Sequence, residues 1–317
     1  MRGMVGGFPN SVSIREVGPR DGFQNEPETI PTDRKVELIE ALARTGLERL
    51  EVTSFVRADV IPQLADAGEV LARIDVPEDV ALSVLVPNER GLDNALALLE
   101  KSRASGRRQA FDEINVFMSA SETHNRKNVN RSIAESLTGL EVVLGRAREA
   151  GLRCEGVIST SFGCPYEGRV SPERVMEIAR RLHEAGAQEI GFGDTTGMAN
   201  PRQVGELFTL WRDELPDAQL TAHFHNTRGQ GLANVLAALE VGVDSFESSF
   251  GELGGCPVPP GATGNIATED LVSMLEEMEI ETGIDLPALL ACARSAQEIL
   301  GRPLGSHTLV AGPVVWD

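Results

Sequence analysis

Short apolar runs alternate along the chain with longer stretches in which apolar positions recur every three or four residues, a pattern of strands interleaved with helices. The runs predict strands at 13–18 (SIREVG), 49–55 (RLEVTSF), 81–86 (ALSVLV), 113–117 (EINVF), 153–160 (RCEGVIST), 188–193 (QEIGFG), 220–225 (LTAHFH) and 244–250 (DSFESSF). The periodic stretches predict helices near 33–45, 58–74, 88–102, 131–150, 171–186, 200–214, 229–241 and 268–283. Thr32-Asp33, Ser171-Pro172-Glu173 and Asn200-Pro201 are helix start signals, and Gly46, Gly151, Gly186 and Gly242 stand where helices should stop. Eight strand–helix units in one register predict an α/β fold, the (β/α)8 TIM barrel, whose parallel strands need helical crossovers. A doubly wound open sheet competes with it, but no GxGxxG follows the first strand. The segment 285–300 predicts an extra C-terminal helix and 301–317 an extended tail. The expected organisation is a flexible N-terminus (1–11), a catalytic barrel (12–283), and a C-terminal helix and tail packed on it (284–317).

Composition narrows the function classes. The 48 acidic residues against 29 Lys and Arg give a net charge of −19, which argues against nucleic acid and anionic membrane as partners. The acidic residues are spread along the chain, as solvated helix faces would be. Four cysteines with no CxxC pair suit a reducing compartment better than a disulfide scaffold. The start MRGMVGGFPNSVS carries no signal-peptide core, and no run of about 18 apolar residues spans a bilayer. A cytoplasmic location is expected.

In a barrel of this kind reactive groups belong at the C-terminal ends of strands and in the loops that follow. TAHFHNTRGQ (221–230) ends a strand with two of the five histidines one residue apart, so His223 and His225 project together while Ala222 and Phe224 project oppositely. Asp21 follows the first strand, and Asn265 lies in the loop after the last. Asp21, His223, His225 and Asn265 offer two imidazole nitrogens and two oxygens, a set for one octahedral divalent ion. The oxygen ligands and the lack of a thiolate favour Mg2+ or Mn2+.

Arg20 stands in VGPRDGFQNE, where Gly18, Pro19 and Gly22 predict a tight turn at the barrel mouth. Glu51 alternates with apolar neighbours, points inward and needs a partner, for which Arg20 is the candidate. Cys256, in a loop of glycines and prolines (251–265), is a candidate proton donor or acceptor on a lid. Cys154, Cys164 and Cys292 read as packing residues, and His124 and His183 as surface or helix residues.

VGPRDGFQNE, EVTSF, SASETHNRKNVNRSIAES, GCPYEG, GDTTG, HFHNTRGQGLAN and GGCPVPPGATGNIATEDLV, in that order, make the chain similar to the 3-hydroxy-3-methylglutaryl-CoA lyase family over about residues 12–290. The resemblance implies a TIM barrel, one divalent cation, a CoA-thioester substrate and a homodimer. It assigns Asp21, His223, His225 and Asn265 to the metal, and makes Arg20, Asp21, Glu51, Asp194, His223 and Cys256 catalytic. It also implies the chemistry. The metal binds the substrate's 3-hydroxyl and a carboxylate oxygen, Asp21 or His223 takes the hydroxyl proton, and carbon–carbon cleavage gives acetoacetate and the enolate of acetyl-CoA. Arg20 stabilises that enolate, and Cys256 helps protonate it. The chain departs from the family pattern at Asn226 and Arg228, where an Asp and a Tyr are usual, and in its final stretch, which lacks a lysine near the nucleotide phosphates. Arg228 and Arg302 are candidates for the lost contacts. A condensing transferase on the same barrel and a catalytically silent metal-binding barrel are the competing functions.

Overall fold

Each predicted strand becomes a stave of one closed barrel of eight parallel strands. The computed structural model describes residues 4–5, 7–106, 108–255 and 263–316. The staves are β1 (Ser13–Glu16), β2 (Arg49–Ser54), β3 (Ala81–Leu85), β4 (Glu113–Ser119), β5 (Arg153–Ser159), β6 (Glu189–Asp194), β7 (Gln219–Phe224) and β8 (Ser245–Ser248). The helices are α1 (Thr32–Leu42), α2 (Ala67–Arg73), α3 (Glu89–Ala104), α4 (Glu122–Val129), α5 (Ile133–Glu149), α6 (Pro172–Ala185), α7 (Pro201–Glu214), α8 (Gly231–Glu240) and α9 (Thr268–Glu277). Two more follow, α10 (Leu286–Leu300) and α11 (His307–Ala311). β8 closes the ring by pairing with β7 and with β1, Ser245 opposite Ser13 and Ser248 opposite Glu16.

The start and stop signals act through hydrogen bonds. Ser171 Oγ accepts from the Arg174 N–H and Asn200 Oδ1 from the Gln203 N–H, each with proline next in the chain. α6 ends at Gly186, whose φ of 121° is open to glycine. Where helices differ from expectation, local chemistry explains it. The segment 58–74 is helical only over Ala67–Arg73, behind a 3-10 turn at Pro62–Leu64, because Pro62 brings no amide donor. α4 was not expected, since ETHNRKNV has no apolar period; Ser121 starts it by accepting from the His124 N–H at 3.2 Å. α11 lies in the segment expected to be extended, held by Asp270, which accepts from Ser306 Oγ and from the His307 and Thr308 N–H groups.

Alternation along each strand sends apolar side chains outward to the helices. Phe192 of β6 stacks on Trp211 of α7 with ring centroids 4.0 Å apart and planes 10° apart, and Phe208 closes edge-on. Many of the inward positions are charged rather than branched and apolar. Arg15 of β1 donates to Glu113, Glu155, Glu189 and Glu247, and Arg49 of β2 to Glu113 and Glu189, all within the buried barrel interior. Charges removed from water survive only when paired this completely. The ion layer fills the lower barrel and leaves the upper end to the polar groups described next.

Candidate metal centre and active site

β1 ends in VGPRDG, which forms one turn of π-helix at Gly18–Gly22 rather than the tight turn expected. The Phe23 N–H reaches back to the Gly18 carbonyl, and Glu16 beneath it accepts from the Gly18 N–H at 2.7 Å. The wider turn sets Arg20 and Asp21 side by side at the barrel mouth, with Arg20 Nη1 donating to Asp21 Oδ1 at 2.7 Å. Arg20 Nε donates to Glu51 Oε2 at 2.6 Å, and Asn115 Nδ2 to the other Glu51 oxygen at 3.0 Å. The inward Glu51 expected of strand two thus has the partner expected for it.

β7 carries His223 and His225 on one face, as alternation requires, and their Nε2 atoms lie 3.1 Å apart. Asn265 arrives beside them because its backbone bridges to His225, with the Ile266 N–H donating to the Phe224 carbonyl. Asn265 Nδ2 donates to Asp21 Oδ2 at 2.7 Å, closing the circle between the loop after β8 and the turn after β1. Ligand atoms of Asp21, His223 and His225 fall within 4.8 Å of one another.

This arrangement fits a divalent ion. Two ligands each about 2.1 Å from one ion, at a right angle, sit about 3 Å apart, the separation of the two facing nitrogens. Asn265 Oδ1 is buried and has no hydrogen-bond partner among the described residues, so an acceptor stands ready beside them. Gly254 covers the cluster at a φ of 93°; a β-carbon there would lie 2.5 Å from Asn265 Nδ2 and 2.7 Å from Asp21 Oδ2.

The electrostatics separate the groups. Burial works to raise Asp21, but the charges of Arg20, His223 and His225 prevail and hold it below the usual carboxylate range. Burial lowers His225 to about 3, with His223 adding to the effect, so its imidazole is neutral. Burial would lower His223 as well, but Glu247 overcomes it through a hydrogen bond and its charge, and the net shift is upward. Burial pushes Asp194 up to about 7, only partly offset by the Met198 and Ala199 N–H groups that Oδ1 accepts. Its Oδ2 is buried and makes no hydrogen bond among the described residues, while the charge of His223 acts on it to lower the pKa.

Arg20, Asp21, Glu51, His223, His225 and Asn265 are therefore brought together, and Asp194 stands at the end of β6 within electrostatic range. Cys256 lies outside the described residues. Arg228 donates to the Thr196 and Gly197 carbonyls, tying the loop after β7 to the loop after β6. Arg302 pairs with Glu26. His124, read as a surface or helix residue, lies on α4 and is buried, with Tyr166 nearby. Two members of the cluster escaped the sequence: Asn115, which supports Glu51, and Glu247, which accepts from His223 Nδ1 at 2.9 Å. A carboxylate between Phe246 and Ser248 in a buried strand is the same signal that revealed Glu51.

A family model described as HMGL-like matches residues 11–295. The chain belongs to the HMGL-like family. This is a family of enzymes, and relatives of the chain in it are named hydroxymethylglutaryl-CoA lyases, which are carbon–carbon lyases. The Bacillus subtilis hydroxymethylglutaryl-CoA lyase is 47% identical over 302 residues, 95% of this chain and 97% of that protein. The crystal structure of a B. subtilis HMG-CoA lyase superposes with a TM-score of 0.90 over 96% of this chain and 98% of that one. An Acinetobacter baumannii HMG-CoA lyase solved in complex with coenzyme A and 3-methylmalate is 40% identical, with a TM-score of 0.89 over 98% of this chain and 97% of that one. As an HMGL-like protein the chain has the barrel its sequence predicts, and its candidate ligand set stands at the C-terminal end of the strands.

Proposed function

We infer that this enzyme cleaves 3-hydroxy-3-methylglutaryl-CoA to acetyl-CoA and acetoacetate with the help of one Mg2+ or Mn2+ ion. The observation that carries this reading is the meeting of two imidazole nitrogens and the Asp21 carboxylate within 4.8 Å of one another, with Asn265 hydrogen-bonded to Asp21 and a fixed guanidinium beside it, in a chain 47% identical to a lyase of that name.

Asp21, His223, His225 and Asn265 would hold the ion, which when bound supplies Lewis-acid polarisation of substrate oxygens and eases ionisation of the 3-hydroxyl. Asp21, pinned in its ionised form by Arg20 and the histidines, is a poor proton acceptor. With His223 Nδ1 facing Glu247 and its Nε2 given to the ion, the hydroxyl proton falls to Asp194, whose Oδ2 makes no hydrogen bond among the described residues and whose pKa of about 7 suits exchange near neutrality. Loss of the bond between C2 and C3 leaves acetoacetate and an enolate. Arg20, immobilised by Glu51 and Asp21, presents its positive charge to the enolate oxygen without having to reorganise. Cys256 is assigned the proton that converts the enolate to acetyl-CoA.

The deciding measurement is release of acetoacetate and acetyl-CoA from the thioester by metal-stripped protein before and after Mg2+ or Mn2+ is restored. Both products are expected only with metal. Consumption of acetyl-CoA with a 2-oxo acid would replace the lyase by a condensing transferase, and turnover unaffected by chelation would remove the ion from the reaction.

A further inference from the structure

Among the described residues, His223 is the one candidate ligand whose remote nitrogen is engaged by a charged side chain. Its Nδ1 lies 2.9 Å from Glu247 Oε2, and Glu247 Oε1 lies 2.9 Å from Arg15 Nη1. The three residues are register partners across neighbouring strands, Arg15 of β1 opposite Glu247 of β8 and Glu247 opposite His223 of β7. They form one row through the barrel interior, all buried. Arg15 cannot swing away, because Glu113, Glu155 and Glu189 also hold its guanidinium. We propose that Glu247, oriented by Arg15, is a positioning residue that locks His223 in the tautomer with the proton on Nδ1, leaving the Nε2 lone pair to the metal. The proposal rests on the metal reading above.

The reasoning is a count of donors and acceptors. A carboxylate against a guanidinium offers only lone pairs, so the imidazole atom facing it must be the donor, and the opposite nitrogen is the acceptor. Glu247→Gln keeps the shape but has one oxygen only. Arg15 is a donor on every edge and claims that oxygen, which turns the amide NH2 toward His223 Nδ1. Nδ1 must then accept, the proton moves to Nε2, and it points into the ligand cluster. The near-isosteric variant is thus predicted to bind metal less well than Glu247→Ala, where the space left lets Nδ1 keep its proton. A purely structural role for Glu247 predicts the opposite order.

Two readouts test this on the full-length protein. Long-range 15N–1H spectra of histidine-labelled, metal-free protein report which ring nitrogen carries the proton, with His223 assigned by its loss in His223→Asn. Mn2+ titration of the same samples reports affinity. We expect a protonated Nδ1 in the wild type, an unprotonated Nδ1 in Glu247→Gln, Mn2+ binding weakened roughly 10- to 100-fold by Gln, a smaller loss in Ala, and the least in Glu247→Asp. A wild-type His223 without a proton on Nδ1, or a Gln variant with wild-type Mn2+ affinity, overturns the lock. If Gln does not fold, the wild-type spectrum and the order of Asp before Ala decide it. Wild-type protein that takes up no Mn2+ defeats the metal reading and the lock with it, and is told apart because no variant is involved.

Discussion

Arg20 and His225 stand a few ångströms from the same point yet should fail differently. Arg20 touches Glu51 and Asp21 and, in the proposed reaction, would offer charge to the reacting oxygen, whereas the neutral His225 would offer a nitrogen to the ion. Arg20→Gln should therefore lower kcat/KM by at least about 3 kcal/mol of transition-state stabilisation, with Mn2+ affinity unchanged or tighter because Asp21 loses a competing cation. His225→Ala should weaken Mn2+ binding first, with activity partly recovered at high metal concentration. Steady-state kinetics beside a metal titration checks both; equal losses of affinity in the two variants would contradict the division of roles. At this scale the sequence disclosed a good deal. An inward carboxylate at Glu51 and the His223–His225 pair follow from strand alternation alone. Glu247 obeys the same rule, but its partners Arg15 and His223 lie on the neighbouring strands that only the closed barrel brings to it.

Among elements, the loops after β1 and β8 decide the geometry of the cluster. Gly254 packs directly against Asp21 and Asn265, and its missing side chain is what lets Asn265 reach Asp21. Gly254→Ala should cost about 1–3 kcal/mol of stability from backbone strain and in addition weaken Mn2+ binding, since the new methyl group overlaps Asp21 and Asn265. Gly229→Ala is the control: its φ of 67° is also left-handed, but nothing lies within 4 Å of the added carbon. It should lower the melting temperature and leave Mn2+ affinity alone. Loss of metal in both variants would mean that strain, not proximity, is responsible. Capped helices such as α6 and α7 were legible from Ser171-Pro172 and Asn200-Pro201, whereas α4 was not, since a helix polar on every face carries no periodic signal.

For the molecule as a whole, buried carboxylates of two kinds set opposite limits on stability. Burial raises Glu16 to about 7 and Glu269 to about 8, against the backbone N–H groups of Gly18, Phe250 and Gly251 that they accept. The folded state keeps these protons where the unfolded chain, with Glu near 4.3, has released them. Their contribution is complete at low pH and is lost as pH rises through about 7 to 8. Glu189 and Glu247 run the other way. Burial would raise them, but Arg15, with Arg49 at Glu189 and His223 at Glu247, lowers both, Glu247 to about 2. Their contribution is present above the unfolded value and disappears in acid. Stability should therefore peak in the weakly acidic range, and the Glu269→Gln variant should gain on the wild type as pH rises from about 6 to 9. Denaturant midpoints across that range check it; parallel curves would show that Glu269 does not carry the alkaline limb.

Sequence by itself determined what is local and repetitive: period two in the strands, period 3.6 in the helices, the caps between them, and from their order the barrel and its catalytic end. It also offered the candidate ligand types, because chemistry belongs to side chains wherever they lie. Tertiary structure alone decided which of those side chains meet. Arg15 and Glu247 are 232 positions apart and Asp21 and Asn265 are 244, yet ring closure makes the first strand a neighbour of the last. The ionic filling of the barrel, the orientation of His223 and the contact of Asn265 with Asp21 all arise from that closure, since a contact across the ring leaves no periodic trace along the chain.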